Sequence, residues 1–141
     1  MGKGGKGVKK DVSASPFDRL SPKKKESEIQ NEILEWLSFH TNVFVWKANT
    51  TGMFDPTRNI YRSLKGHNIR GVSDILGIVR HVVERQSPIG QLLAIEVKRP
   101  ETRNTVTADQ RYFLDRIRVM GGISEVCTSL TEAIELVGPK L

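Results

Sequence analysis

Glu96 and Lys98 are the two side chains whose types and spacing most clearly suggest chemistry. They end an apolar stretch, Gln91–Lys98 (QLLAIEVK), whose composition is typical of a β-strand. Alternate side chains of a strand face the same way, so a carboxylate and an ammonium group would stand together on one face. The carboxylate can hold a hard divalent cation, and the lysine can neutralise charge developing on a phosphate. The pair therefore suggests metal-assisted phosphodiester hydrolysis.

Asp74 is predicted to supply a second carboxylate for the same cation. It opens the preceding apolar stretch, Asp74–Val83 (DILGIVRHVV), and an antiparallel hairpin between the two strands would bring it beside Glu96. The backbone carbonyl of Val97 is a further candidate ligand. An isolated Glu-x-Lys is usually a solvated ion pair on an exposed strand face, so the inference depends on the whole constellation.

The elements that must position these residues follow from hydrophobic periodicity and from helix-capping signals. In order, they are a helix from Ser21-Pro22 to about His40, a strand over 42–47, strands over 74–83 and 91–98, a helix opened by the capping box Thr107-Ala-Asp-Gln110, a strand over 123–127 and a helix over 129–137. Part of the long connection over 52–72 could form a hairpin arm. The order α-β-β-β-α-β-α predicts an α/β fold, with a mixed sheet of about four strands flanked by helices.

Four segments resemble, in the same order, the motifs of one nuclease family. They are Gly71-Val-Ser-Asp74-Ile-Leu-Gly, Ala94-Ile-Glu96-Val-Lys98-Arg-Pro, Thr107-x-x-Gln110-x-x-Phe113-Leu and Gly121-Gly122. The family is the VRR-Nuc domain, the virus-type replication-repair branch of the PD-(D/E)xK nuclease superfamily, which implies a restriction-endonuclease-like core. The resemblance covers about residues 26–138. The Val-Arg-Arg string that names the family is absent, but that string is not catalytic.

The resemblance implies a role for each candidate residue. Asp74 and Glu96 would be the metal ligands and Lys98 the catalytic lysine. Gln110 would match the family's glutamine, although its place in a capping box explains a glutamine equally well without catalysis.

An additional acidic residue is expected to reach the site from the first helix. The resemblance points to Glu28, whereas helical periodicity places Glu32 closer to the apolar stripe of that helix. Both therefore remain open at this point.

The implied activity is hydrolysis of DNA with Mg²⁺ or Mn²⁺ as cofactor, leaving 5′-phosphate and 3′-hydroxyl ends. A lone domain of this size looks like the phage and bacterial members of the family, which resemble Holliday-junction resolvases in forming homodimers. Branched DNA and a homodimer are therefore expected. The alternatives are a catalytically inactive DNA-binding module of the same fold, or an unrelated α/β domain with an accidental Glu-x-Lys.

The charge of the chain is concentrated at its N-terminus. The formal net charge is +6 and the pI about 9.7. Residues 1–25 hold eight Lys or Arg and two Asp, whereas the remainder holds fourteen residues of each sign. Residues 1–20 are predicted to be a disordered basic arm that grips phosphates or is simply solvated, ahead of one domain over 21–141. Candidate DNA-binding residues within that domain are Lys47, Asn49, Arg58, Arg62, Lys65 and Arg70.

The remaining composition bears on the compartment and on the core. Cys127 is the single cysteine, which excludes an internal disulfide and fits a reducing environment. No apolar run approaches membrane-spanning length, so no membrane association is expected and the protein should stay in the cytoplasm, the host's if it is phage-encoded. Trp36 and Trp46 fall in the apolar pattern and are predicted to lie in the core.

Overall fold

The computed structural model describes residues 22–48, 53–62 and 70–141 of the chain. The predicted basic arm over 1–20 lies outside these ranges, as do two candidate DNA-binding residues, Asn49 and Lys65. Within the described ranges, none of the helices combines the length and the apolar character that crossing a bilayer requires.

The fold is built around a mixed four-stranded sheet, which confirms the predicted α/β class. Its strands are β1 (Val43–Lys47), β4 (Ile75–His81), β5 (Ile89–Val97) and β6 (Ile123–Cys127), and they are adjacent in that order; β2 (Met53–Asp55) and β3 (Ile60–Arg62) form a separate antiparallel pair. β4 pairs antiparallel with both β1 and β5, as the hairpin prediction required. β5 and β6 run parallel, which the intervening helix makes possible.

Three helices flank the sheet: α1 (Glu26–Ser38), α2 (Ala108–Val119) and α3 (Leu130–Val137). Both predicted N-caps are present, because the hydroxyls of Thr107 and Ser129 accept hydrogen bonds from the amides of Gln110 and Glu132. A 3-10 helix, Pro100–Thr105, connects β5 to α2, and a second, Gly138–Lys140, follows α3.

The first helix begins later than the Ser21-Pro22 signal predicts. Lys25 has an extended backbone and is the N-cap residue, so helical structure starts at Glu26. The Glu28 carboxylate accepts a hydrogen bond of 2.6 Å from the Lys25 amide, satisfying a donor that the helix itself cannot satisfy. This contact explains why the helix starts here, and it also assigns Glu28 a structural role.

The two faces of the sheet are covered by different helices. On one face Leu93, Ile95 and Val97 belong to a buried cluster with the apolar stripe of α1 and with α3. On the other face Ala94 and Val126 pack against α2. Because Glu96 alternates with Ile95 and Val97, it points to the α2 face, where the sequence predicted it.

Candidate metal centre

Glu96 is a charged side chain fixed in the interior, with only 1% of its surface exposed. Its Oε1 atom accepts a hydrogen bond of 2.5 Å from Gln110 Nε2 and lies 3.3 Å from Lys98 Nζ. Its Oε2 atom is buried and has no hydrogen-bond partner among the residues that the structure describes. A buried carboxylate oxygen without a partner is costly, so the arrangement leaves one ligand position unused by the protein itself.

The surroundings of Glu96 raise its pKa from the ordinary 4.5 to about 7. Burial is the largest cause, because it penalises the charged form. The negative charge of Asp74 adds to this effect, and the positive charge of Lys98 partly opposes it. The carboxylates of Asp74 and Glu96 are therefore close enough to repel each other, as they would be if they shared a cation.

Asp74 is held opposite Glu96 by the strand register. Ile75 pairs with Ile95, and continuing this antiparallel register by one residue sets Asp74 against Glu96. The Asp74 Oδ2 atom accepts a hydrogen bond of 2.8 Å from the Val97 amide, and the Asp74 carbonyl accepts one from the Ala48 amide. Asp74 is thus tied to strands on both sides, and its Oδ1 atom is the oxygen that could face an ion.

Lys98 follows β5 and stands on the same side as Glu96. Its backbone amide donates to the Cys127 carbonyl, which continues the parallel pairing with β6. Only 14% of its side chain is exposed. The ammonium group is therefore held at the carboxylates rather than extended into solvent.

Gln110 completes the capping box and also contacts the candidate centre. Its Oε1 atom accepts a hydrogen bond of 2.9 Å from the Thr107 amide, completing the capping box. Its Nε2 atom donates to Glu96. One side-chain amide therefore caps α2 and orients the buried carboxylate.

Gly71 sets how closely the start of α2 approaches the Asp74 loop. Its φ angle is +71°, and a Cβ atom built there would lie 2.3 Å from the Asp109 carbonyl carbon and 2.4 Å from the Gln110 nitrogen. A side chain at this position would therefore push away the first turn of α2, which carries Gln110.

Gly71→Ala is expected to lower the free energy of unfolding by at least about 2 kcal/mol, through backbone strain and the clash with α2. Gly121→Ala is the matched control, because Gly121 has a φ of +88° but nothing lies within 4 Å of an added Cβ. Denaturant unfolding of both variants separates the cost of backbone strain from the cost of the clash with α2. Equal losses of unfolding free energy in the two variants would show that the close approach of residue 71 to α2 does not affect stability.

The acidic side chain of α1 whose charge acts on Glu96 is Glu26, which the sequence did not single out. Glu28 is exposed and caps its own helix, and Glu32 is paired with Lys24 at 2.5 Å. The charge of Glu26, by contrast, contributes to the raised pKa of Glu96. Glu26 also precedes the buried Gln30 and Ile33 by four and seven residues, so it lies on the same side of α1 as these residues.

Four of the predicted DNA-binding residues lie in the described part of the chain. Lys47 is exposed at the end of β1, where it pairs in register with Ile75 next to Asp74. Arg58 and Arg70 are exposed, and Arg62 is the last residue of β3. Their contact with DNA remains a prediction.

The donor set fits a hard divalent cation with few protein ligands. Within 22–48, 53–62 and 70–141, no three His, Cys, Asp or Glu side chains are grouped as a complete ligand set. Two carboxylates are nevertheless a common protein contribution to Mg²⁺, which keeps waters and takes substrate phosphate oxygens as further ligands. The partnerless Glu96 Oε2 fits this demand. The Val97 amide is engaged by Asp74, and its carbonyl remains a predicted ligand.

Comparisons of this chain with models of protein families, with curated proteins and with solved structures find no match. The chemistry of the centre therefore has to be inferred from the placement of Asp74, Glu96, Lys98 and Gln110.

Proposed function

We propose that the protein is a deoxyribonuclease that requires Mg²⁺ or Mn²⁺ and hydrolyses phosphodiester bonds at the centre formed by Asp74, Glu96 and Lys98. The observation that carries this proposal is the convergence of two carboxylates and a nearly buried lysine, together with a second Glu96 oxygen that has no hydrogen-bond partner among the described residues. A structural ion pair explains the contact between Glu96 and Lys98. It does not explain why a second carboxylate is held against them.

Each side chain has a distinct task in the proposed reaction. Asp74 and Glu96 would hold the cation, which would supply charge stabilisation at the scissile phosphate and a more acidic water. Gln110 fixes Glu96 through Oε1, so that Oε2 is directed towards the ligand position. The Lys98 ammonium group is placed to orient the attacking water or to neutralise charge on the pentacovalent phosphorus. In-line attack then breaks the bond to the 3′ oxygen and leaves 5′-phosphate and 3′-hydroxyl ends.

The finer classification follows the sequence resemblance. We propose that the mixed α/β fold is a restriction-endonuclease-like core of the VRR-Nuc type, acting on branched DNA as a homodimer. Two centres related by a two-fold axis would suit a four-way junction, whose arms are arranged in pairs. The basic arm over 1–20 would add contacts to phosphates that do not depend on sequence.

Lys98→Ala is expected to reduce cleavage at least about a hundredfold, because a charged donor at the transition state is removed. Labelled four-way junction, flap and linear duplex are incubated with Mg²⁺, with Mn²⁺ and with chelator. Lys140→Ala is the matched control, since it removes one exposed lysine near the C-terminus. Cleavage that depends on metal, and that only Lys98→Ala abolishes, supports the nuclease. Salt-sensitive binding without cutting would instead indicate an inactive DNA-binding module.

A further inference from the structure

Part of the sheet face that carries Glu96 is apolar but uncovered. Phe44, Trp46, Ile78 and Leu92 are exposed by 68%, 37%, 41% and 39%. Phe44 pairs with Ile78 and Ile78 with Leu92, so these three lie in one row across three strands. Trp46 follows in the next row, opposite Leu76. These four residues are named here the open shelf. The prediction that Trp46 lies in the core is wrong, because it faces away from the helix that Val43 and Val45 contact.

The open shelf is exposed because α2 covers only the β5–β6 half of this face. On the β6 side of α2, Arg118 contacts both Glu125 and the Ser124 carbonyl. On its other side, Met120 borders a cavity together with Leu92. Arg116 precedes Met120 by four residues and lies in the last turn of α2.

The chemistry of the open shelf matches an unpaired nucleic-acid strand. The rings of Phe44 and Trp46 have centroids 5.4 Å apart with a tilt of 42°, which presents two aromatic surfaces side by side. Arg80 continues the alternation of β4 beyond Ile78, and Arg116 lies in the last turn of α2, the helix that covers the rest of this face. Both arginines are exposed, and neither has an ion-pair partner in the described part of the chain. Aromatic surfaces between unpaired cations are the usual means of holding single strands.

The position of the open shelf connects it to the metal centre. On β4, Leu76 stands opposite Trp46 and lies two residues beyond Asp74 on the same face. Two residues of a strand span about 7 Å, so the indole is one row away from the proposed scissile phosphate. A DNA strand bound at the metal centre would therefore pass over Trp46 next.

We propose that the open shelf stacks the bases of an unpaired DNA strand that leads into the metal centre. This inference rests on the proposed nuclease function. A second copy of this chain fits the shelf less well. In a two-fold interface the same surface would meet itself, and its arginines would find no acidic partner on the shelf.

Trp46→Leu tests the proposal because it keeps apolar volume but removes the ring. Affinities of the full-length protein for a labelled thymidine oligonucleotide and for a blunt duplex of equal length are measured by anisotropy in chelator. Trp46→Leu and Phe44→Ala should each weaken single-strand binding about fivefold to a hundredfold and leave duplex binding unchanged. Phe39→Ala is the matched control, since Phe39 is 76% exposed at the end of α1.

Direct contact between Trp46 and the bases can be measured separately by fluorescence. In a Trp36→Phe background, Trp46 is the only tryptophan, and its emission should be quenched by the oligonucleotide. Folded variants that bind single strands as tightly as the parent would overturn the proposal. The proposal would also be overturned if sedimentation at the same concentrations detected a dimer of the parent protein that Trp46→Leu and Phe44→Ala dissociate. Because no cleavage is involved, failure of the nuclease proposal would appear separately, as binding that depends on Trp46 without cutting in Mg²⁺.

Discussion

Replacing Glu96 with glutamine is expected to reduce metal-dependent DNA cleavage about a thousandfold or more. The substitution preserves shape and keeps an oxygen for Gln110 and Lys98, but it removes the charge that would hold the cation. Loss of the charge stabilisation that a bound cation provides is worth about 4 kcal/mol, and each 1.36 kcal/mol corresponds to a factor of ten in rate. Cleavage rates of labelled flap and junction DNA at saturating enzyme give the measurement directly.

The matched control for this substitution is Glu135→Gln. Glu135 is exposed on α3, so its replacement changes the net charge by the same amount without touching the centre. It should cut like the parent protein. If Glu96→Gln folds normally and still cuts within about tenfold of the parent rate, the assignment of Glu96 as a metal ligand is wrong.

Binding distinguishes loss of the cation from loss of the DNA site. Glu96→Gln removes a negative charge close to where a phosphate would lie, so its affinity for DNA in chelator should be equal to or higher than that of the parent. A variant that neither binds nor cuts would point to a damaged surface rather than to a missing ligand.

The strand pairing could be predicted because the residues concerned alternate clearly. Leu93, Ile95 and Val97 form one apolar face of β5, and a shift by one residue would bury Glu96 among them. The same pattern set the antiparallel pairing with β4 and therefore the position of Asp74 opposite Glu96. The positions of Asp74 and Glu96 follow from this register, so they could be predicted from the sequence.

The contribution of α1 could not be predicted from the signals that the sequence offered. The family resemblance favoured Glu28 and helical periodicity favoured Glu32 as the acidic residues of interest, and Ser21-Pro22 predicted an earlier helix start. In the structure the start is at Glu26, because the Glu28 carboxylate caps the helix at Lys25. Competition between two capping options is decided by fractions of a kcal/mol and by tertiary packing, neither of which the local sequence reveals.

Exposure of Trp46 was missed for a related reason. Periodicity shows which strand positions share a face, but not how much of that face a helix will cover. α2 packs over Ala94 and Val126, so the rows nearer to β1 stay open. An exposed apolar surface and a buried one therefore give the same pattern in the sequence.

The raised pKa of Glu96 predicts that cation binding depends steeply on pH. A cation needs the ionised carboxylate, and protons compete for it because the pKa is about 7 without metal. The apparent affinity for Mg²⁺ should therefore fall about tenfold between pH 8 and pH 6 and level off above pH 8. Titration of Mg²⁺ against the melting temperature at the two pH values measures this change.

The stability of the metal-free protein should show the opposite pH dependence. The folded-state pKa of Glu96 lies above its ordinary value of 4.5, so the protonated side chain favours the folded state. This contribution is complete below about pH 4.5 and is lost as the pH rises through 7, by up to about 3 kcal/mol at 1.36 kcal/mol per pKa unit. Mg²⁺ should therefore stabilise the protein more at pH 8 than at pH 6.

Glu96→Gln distinguishes the effect of Glu96 ionisation on stability from the effects of other titrating groups. The amide does not ionise, so the pH-dependent loss should disappear in the variant together with stabilisation by Mg²⁺. If Mg²⁺ stabilises the parent protein equally at pH 6 and pH 8, Glu96 does not ionise on binding the cation. The ligand position would then lie elsewhere, and the partnerless oxygen of Glu96 would have only a structural role.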